Sequence, residues 1–151
     1  MTIKTRATKI DVNAVRTALN TVASRDPYHK DRRAKDNLPA RYLDQGKPNC
    51  LVAEILIELG FPTTLLRDLD RERPVGALHR DGVDIAESRH PALRRIDPVA
   101  LQLLQYCQRM QDRGFIWMYI AEDAFKISGW TTTKWQLRRR PWLAAYLAAG
   151  A

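Results

Sequence analysis

Apolar residues recur along this chain mostly at helical spacing, with one stretch that alternates. Val12, Val15, Leu19 and Val22 lie three and four apart, as on one face of an α-helix. Asp11 precedes them as an N-cap, so a first helix is predicted over about residues 12–24. Turn chemistry follows at Gln45-Gly46-Lys47-Pro48. Asn49 then stands as the cap of CLVAEILIELG, a run apolar nearly all round, which predicts the central helix of the core with Leu51, Ile55, Leu56 and Leu59 buried. Gly60 is placed to stop it. After Phe61-Pro62, a further helix from Thr63 or Thr64 turns Leu65, Leu66 and Leu69 back on the first. This hairpin imitates a DNA-binding helix-turn-helix, but bulky Leu56 and the acids Asp68, Asp70 and Glu72 argue for a core role.

The period changes at Val75, Ala77 and His79, which approach Asp81-Gly82 and return through Val83 and Ile85. Asp-Gly between β-compatible flanks predicts a hairpin there. Asp97-Pro98 then opens a helix with proline at its first position. Val99, Leu103, Tyr106, Cys107 and Met110 form its stripe, and Gly114 ends it. Residues 141–149 predict a terminal helix docked by Leu143, Tyr146 and Leu147. The expected fold is mainly α, about six helices packed as one domain with one small β-hairpin. Residues 1–10 read as a flexible basic arm and 11–151 as a single helical domain, with a basic loop at 25–40.

Charge adds a direction. With 25 Lys and Arg against 17 Asp and Glu, the net charge is +8, which favours an acidic partner. Residues 1–41 carry 10 basic and 4 acidic residues, 42–100 carry 8 and 10, and 101–151 carry 7 and 3, so both ends are basic around a balanced middle. Cys50 and Cys107 sit in apolar helical contexts and read as buried free thiols, which suits a reducing cytoplasm. No signal region and no run long enough to span a membrane is visible, so no membrane contact is expected.

Motifs for chemistry are sparse. His79-Arg80-Asp81 matches part of a kinase catalytic loop, yet neither a glycine-rich phosphate loop nor Asp-Phe-Gly accompanies it. The two cysteines and three histidines lack metal-ligand spacing. No cofactor, metal or catalytic residue is therefore expected, and the chain reads as non-enzymatic.

The block Tyr42–Gly60, YLDQGKPNCLVAEILIELG, resembles one found in small, mostly uncharacterised proteins of actinobacteria and their phages. The segment Leu103–Trp117, with Gln108, Gln111, Asp112, Gly114 and Trp117, is similar to another. The resemblance as a whole extends over about half the chain, and neither block is a specific motif. The resemblance implies a mobile-element or host-regulatory setting and brings no catalytic residue.

The stretch from Ile116 to Leu143 holds all four tryptophans and the densest positive charge. It reads as helix, tight turn at Ser128-Gly129, helix and stop at Pro141, which suggests a helix-turn-helix within residues 115–143. Trp135 and Leu137 would face inward. Lys134, Arg138, Arg139 and Arg140 would hold phosphates, with Thr132, Thr133 and Gln136 toward base edges. Lys30, Arg32, Arg33 and Lys35 in the basic loop would add phosphate contacts, or serve only as a solvated connector. The expectation is a small nucleic-acid-binding regulator, with DNA favoured. The alternative is a module that binds or inhibits an acidic host protein through a Trp/Arg surface.

Overall fold

The computed structural model describes residues 9–30, 41–72, 83–127 and 133–149. Helix α1 (Val12–Arg25) begins where the side chain of Asp11 accepts the Ala14 amide at 2.9 Å. Its spacing of apolar residues buries Val12, Val15, Ala18, Leu19, Val22 and Ala23. Just before it, Ile10 pairs with Ile96 through Ile10 N–H to Arg95 O (2.7 Å) and Asp97 N–H to Ile10 O (2.8 Å). The end of the expected loose arm is thus pinned; residues 1–8 lie outside the described residues.

The single hairpin among the described residues lies at β1 (Leu43–Asp44) and β2 (Lys47–Pro48), paired antiparallel. Gln45 and Gly46 both take positive φ, 50° and 76°, as a primed two-residue turn requires. The hairpin expected around Asp81-Gly82 falls on residues 73–82, outside the described residues. Its returning flank is not a strand: residues 85–87 form a turn, with Glu87 and Ser88 amides bonded to Asp84 O. The turn chemistry expected at Gln45-Gly46-Lys47-Pro48 is the turn of the β1–β2 hairpin.

Helix α2 (Leu51–Glu58) is capped by Cys50 rather than Asn49, its Sγ accepting the Ala53 amide at 3.4 Å. Leu51, Val52, Ala53, Ile55 and Leu56 are buried, while Leu59 at the C-cap is only half-buried. Gly60 takes φ +95°, its amide bonds Ile57 O, and Phe61 N–H reaches back to Leu56 O. That pair of bonds is a Schellman ending. The same ending closes α4 (Pro98–Asp112): Gly114 has φ +83°, with Gly114 N–H to Gln111 O and Phe115 N–H to Met110 O.

Helix α3 (Thr63–Arg71) packs on the hairpin and buries Leu65, Leu66 and Leu69. Its acids have local partners. Asp70 receives the Tyr42 and Leu43 amides at 2.7 and 3.0 Å, Asp68 meets His90 Nε2 at 2.9 Å, and Glu72 receives Ser88 Oγ and the Arg89 amide. A short 3-10 helix (Pro91–Arg95) leads to α4, whose first amides are capped by Asp97. The buried face of α4 includes two glutamines. Gln108 bridges Ile85 N–H and the Tyr42 hydroxyl, each at 2.7 Å, and Gln111 accepts the Val52 amide at 3.0 Å.

Three short helices complete the fold: α5 (Trp117–Asp123), α6 (Thr133–Arg139) and α7 (Pro141–Ala148). Helix α1 packs against α2, α4, α5 and α7, so it is the hub expected of α2. The protein is mainly helical with one small two-stranded hairpin. No helix among the described residues is long and apolar enough to cross a membrane.

Candidate functional site

Arginine and tyrosine at i, i+3 and i+7 of α4 set one wall of a groove. Tyr106, Arg109, Met110 and Arg113 follow each other along one face of that helix. Asp123 and Lys126, at and just beyond the end of α5, form the second side, and Trp135, Gln136 and Arg139 of α6 form the third. The groove has a volume of about 460 Å³.

The floor is neutralised from within. Arg140 donates to the Asp123 carboxylate at 3.2 Å, to Asp123 O, and to Lys126 O at 3.2 Å, and it lies over the Tyr106 ring. It therefore satisfies carbonyls left bare at the end of α5. The Tyr106 hydroxyl donates to the same carboxylate. Burial, then the hydrogen bond and charge of Asp123, push Tyr106 far above the ordinary phenol range, so it stays a neutral donor. Trp142 is buried beneath, its indole N–H donating to Ala124 O at 2.7 Å.

The rim is left positive. Arg109, Arg113, Lys126 and Arg139 are exposed, and no described carboxylate forms a salt bridge with any of them. Arg139 lies 4.5 Å over the ring of Trp135, which is 46% exposed. Four cations therefore line the same groove as an exposed aromatic ring.

Several expected site residues fall elsewhere. Gln136 is 4% exposed and cannot reach a base edge. Arg140 faces the Asp123 carboxylate rather than solvent, which removes it as a phosphate ligand. Trp135, expected inward, stands at the rim, while Leu137 does pack on the core. Lys134 and Arg138 are exposed on α6, and Lys30 is exposed after α1. Thr133 begins α6; Thr132, Arg32, Arg33 and Lys35 lie outside the described residues. Helix α5 ends at Asp123 and α6 begins at Thr133. The turn expected at Ser128-Gly129, which would join the two halves of a helix-turn-helix, lies outside the described residues.

Arg109, Arg113 and Lys126 escaped the sequence reading. The available signal was the i, i+4 pair of arginines on the polar side of α4, opposite Cys107 and Gln111. Among the described residues no group of three or more His, Cys, Asp or Glu side chains is placed to hold a metal ion. Both cysteines are buried and unbridged. No family model, no curated protein and no solved structure matches this chain.

Proposed function

We propose that the chain binds nucleic acid without catalysis, through the groove between α4, the end of α5 and α6. The carrying observation is that Arg109, Arg113, Lys126 and Arg139, none in a salt bridge with a described carboxylate, line one groove with exposed Trp135. Cations at a concave rim concentrate a polyanion, and phosphate contacts release condensed counterions, which supplies affinity on any sequence. Lys134 and Arg138 extend the same field along α6. The resemblance of the Tyr42–Gly60 and Leu103–Trp117 blocks implies a mobile-element or host-regulatory setting, in which such a chain would act as a small DNA-binding regulator.

The test is fluorescence anisotropy with labelled DNA, single-stranded and duplex, from low to moderate salt. The wild-type protein should bind with affinity that falls steeply as salt rises. Arg109, Arg113 and Arg139 replaced together by Ala should flatten the log–log salt slope by about 2–3, close to one per lost phosphate contact. These three side chains are exposed, so the variant should keep its fold, which circular dichroism checks. A folded wild-type protein that binds neither DNA form at low salt overturns the proposal.

A further inference from the structure

We propose that the groove takes an unpaired nucleic-acid strand, stacking bases on an aromatic line that runs from Trp135 toward Tyr119 and Phe115. The proposal rests on the nucleic-acid reading above and adds the state of the ligand.

Three large rings in and around α5 and α6 stand partly in solvent. Trp135 is 46% exposed, Tyr119 44% and Phe115 39%. Phe115 and Tyr119 stack on each other at 5.2 Å with planes 19° apart, so they act as one platform. Their placement follows from the register of α4 and α5. The short turn at Gly114 reverses the chain, with Phe115 N–H bonded to Met110 O. At the far end the Tyr106 hydroxyl meets Asp123. The two helices therefore run antiparallel, and Phe115, Tyr119 and Asp123, four apart, form an edge beside Arg113, Arg109 and Tyr106. Asp123 and Tyr106 line the groove with Lys126, Arg109 and Arg113, and on this antiparallel register the Phe115–Tyr119 platform follows beyond the groove along the same two edges. A row of cations thus lies along a row of rings.

That pairing fits a single strand better than a duplex. A duplex hides its base faces in its own stack and offers this surface only phosphates. Helix α6 has only seven residues, and its Gln136 is buried, so that amide is not presented to base edges. An unpaired strand offers both phosphates for the cations and π-faces for the rings, and such stacking is tolerant of sequence. The groove volume of about 460 Å³ lies within the range of sites that enclose a small ligand, so one nucleotide can seat at Trp135 while its neighbours follow the rim.

The experiment titrates the full chain with a labelled oligothymidylate, a hairpin duplex of equal phosphate number and poly-glutamate, all at the same salt. The oligothymidylate should bind at least about tenfold more tightly than the duplex. Trp135→Ala should weaken it by about 5- to 100-fold, and Tyr119→Ala by a smaller factor, with the salt slope unchanged because the phosphate contacts remain. Trp135→Phe, which keeps a ring, should restore most of the affinity and guards against a loss caused by misfolding. Equal or tighter duplex binding, or a Trp135→Ala variant that binds the single strand normally, overturns the single-strand inference. If DNA binding still flattens with the triple arginine variant, the broader reading survives that result. Poly-glutamate binding as tight as DNA, lost in the same variant, overturns both by showing a site for acidic polypeptide.

Discussion

Arg139 and Arg140 are adjacent in sequence and opposite in role. Helix α6 ends at Arg139, and Arg140 takes a non-helical backbone (φ −129°, ψ 74°) before α7, so Arg139 reaches the rim over Trp135 while Arg140 enters the Asp123 carboxylate and the end of α5. The side chains of Arg140 and Asp123 are both mostly buried, and removing one leaves the other charge and two carbonyls without their partner. Arg140→Ala should therefore cost about 2–4 kcal/mol, somewhat below the loss for breaking a fully buried pair. Arg140→Lys keeps the charge but loses the fork and should recover only part of it. Arg139→Ala should change stability by about 0.5 kcal/mol or less. Urea unfolding of the three variants checks this; equal losses for Arg139→Ala and Arg140→Ala would remove the distinction. The run Arg138–Arg140 was legible as charge, but which guanidinium faces solvent depended on Asp123 arriving from another helix.

At the scale of elements, what local chemistry decides was readable and what distant partners decide was not. Asp11, Gly60, Asp97-Pro98 and Gly114 mark helix ends because capping and left-handed φ are properties of a few consecutive residues. The turn at Gln45-Gly46 is legible as turn chemistry, but the hairpin around it is also backed by Asp70 of α3 holding the Tyr42 and Leu43 amides, a partner far along the chain. Gln108 and Gln111 are not part of the apolar stripe Val99, Leu103, Tyr106, Cys107 and Met110, yet both are buried because each meets a backbone amide more than twenty positions away. The groove suffered likewise: its α6 side was visible as a Trp/Arg cluster, and its α4 side was not. Helix α2 gives the sharpest element-level expectation. Leu56 is wholly buried, so Leu56→Ala should cost about 2–5 kcal/mol. Gly60→Ala meets no steric contact but must hold φ +95°, so it should cost about 1–2 kcal/mol through backbone strain alone. Thermal unfolding that left Leu56→Ala less affected than Gly60→Ala would contradict both assignments.

Across the whole molecule, the acids of the middle segment are engaged in building the fold, and several basic side chains are left over at the groove. Asp68, Asp70, Glu72, Asp84 and Asp97 all accept hydrogen bonds that tie loops to helices. The interior holds groups that must stay neutral. Burial pushes the Cys107 thiol up to about 12 from its ordinary value of 9.0. Burial, partly opposed by the Gln108 hydrogen bond, raises Tyr42 well above the phenol range. In an unfolded chain both groups would lose their protons at ordinary values. Between pH 9 and about 12 the folded chain therefore holds a proton on Cys107 that the unfolded chain releases, and Tyr42 adds to this above pH 10. Since the native state binds more protons there, stability must fall as pH rises, by up to about 1.4 kcal/mol per pH unit for each group. The contribution is intact below pH 9 and is lost through the alkaline window. Urea unfolding at steps from pH 8 to pH 11 should show a flat region followed by this decline. Cys107→Ala should start from a lower stability because of its cavity but decline less steeply from pH 9, and Tyr42→Phe should flatten the part above pH 10. The thiol should react with an alkylating reagent at neutral pH only after unfolding, because its thiolate is not formed in the core. A wild-type protein as stable at pH 10.5 as at pH 8, with Cys107 labelled rapidly in the folded state, would show that this interior admits water and charge.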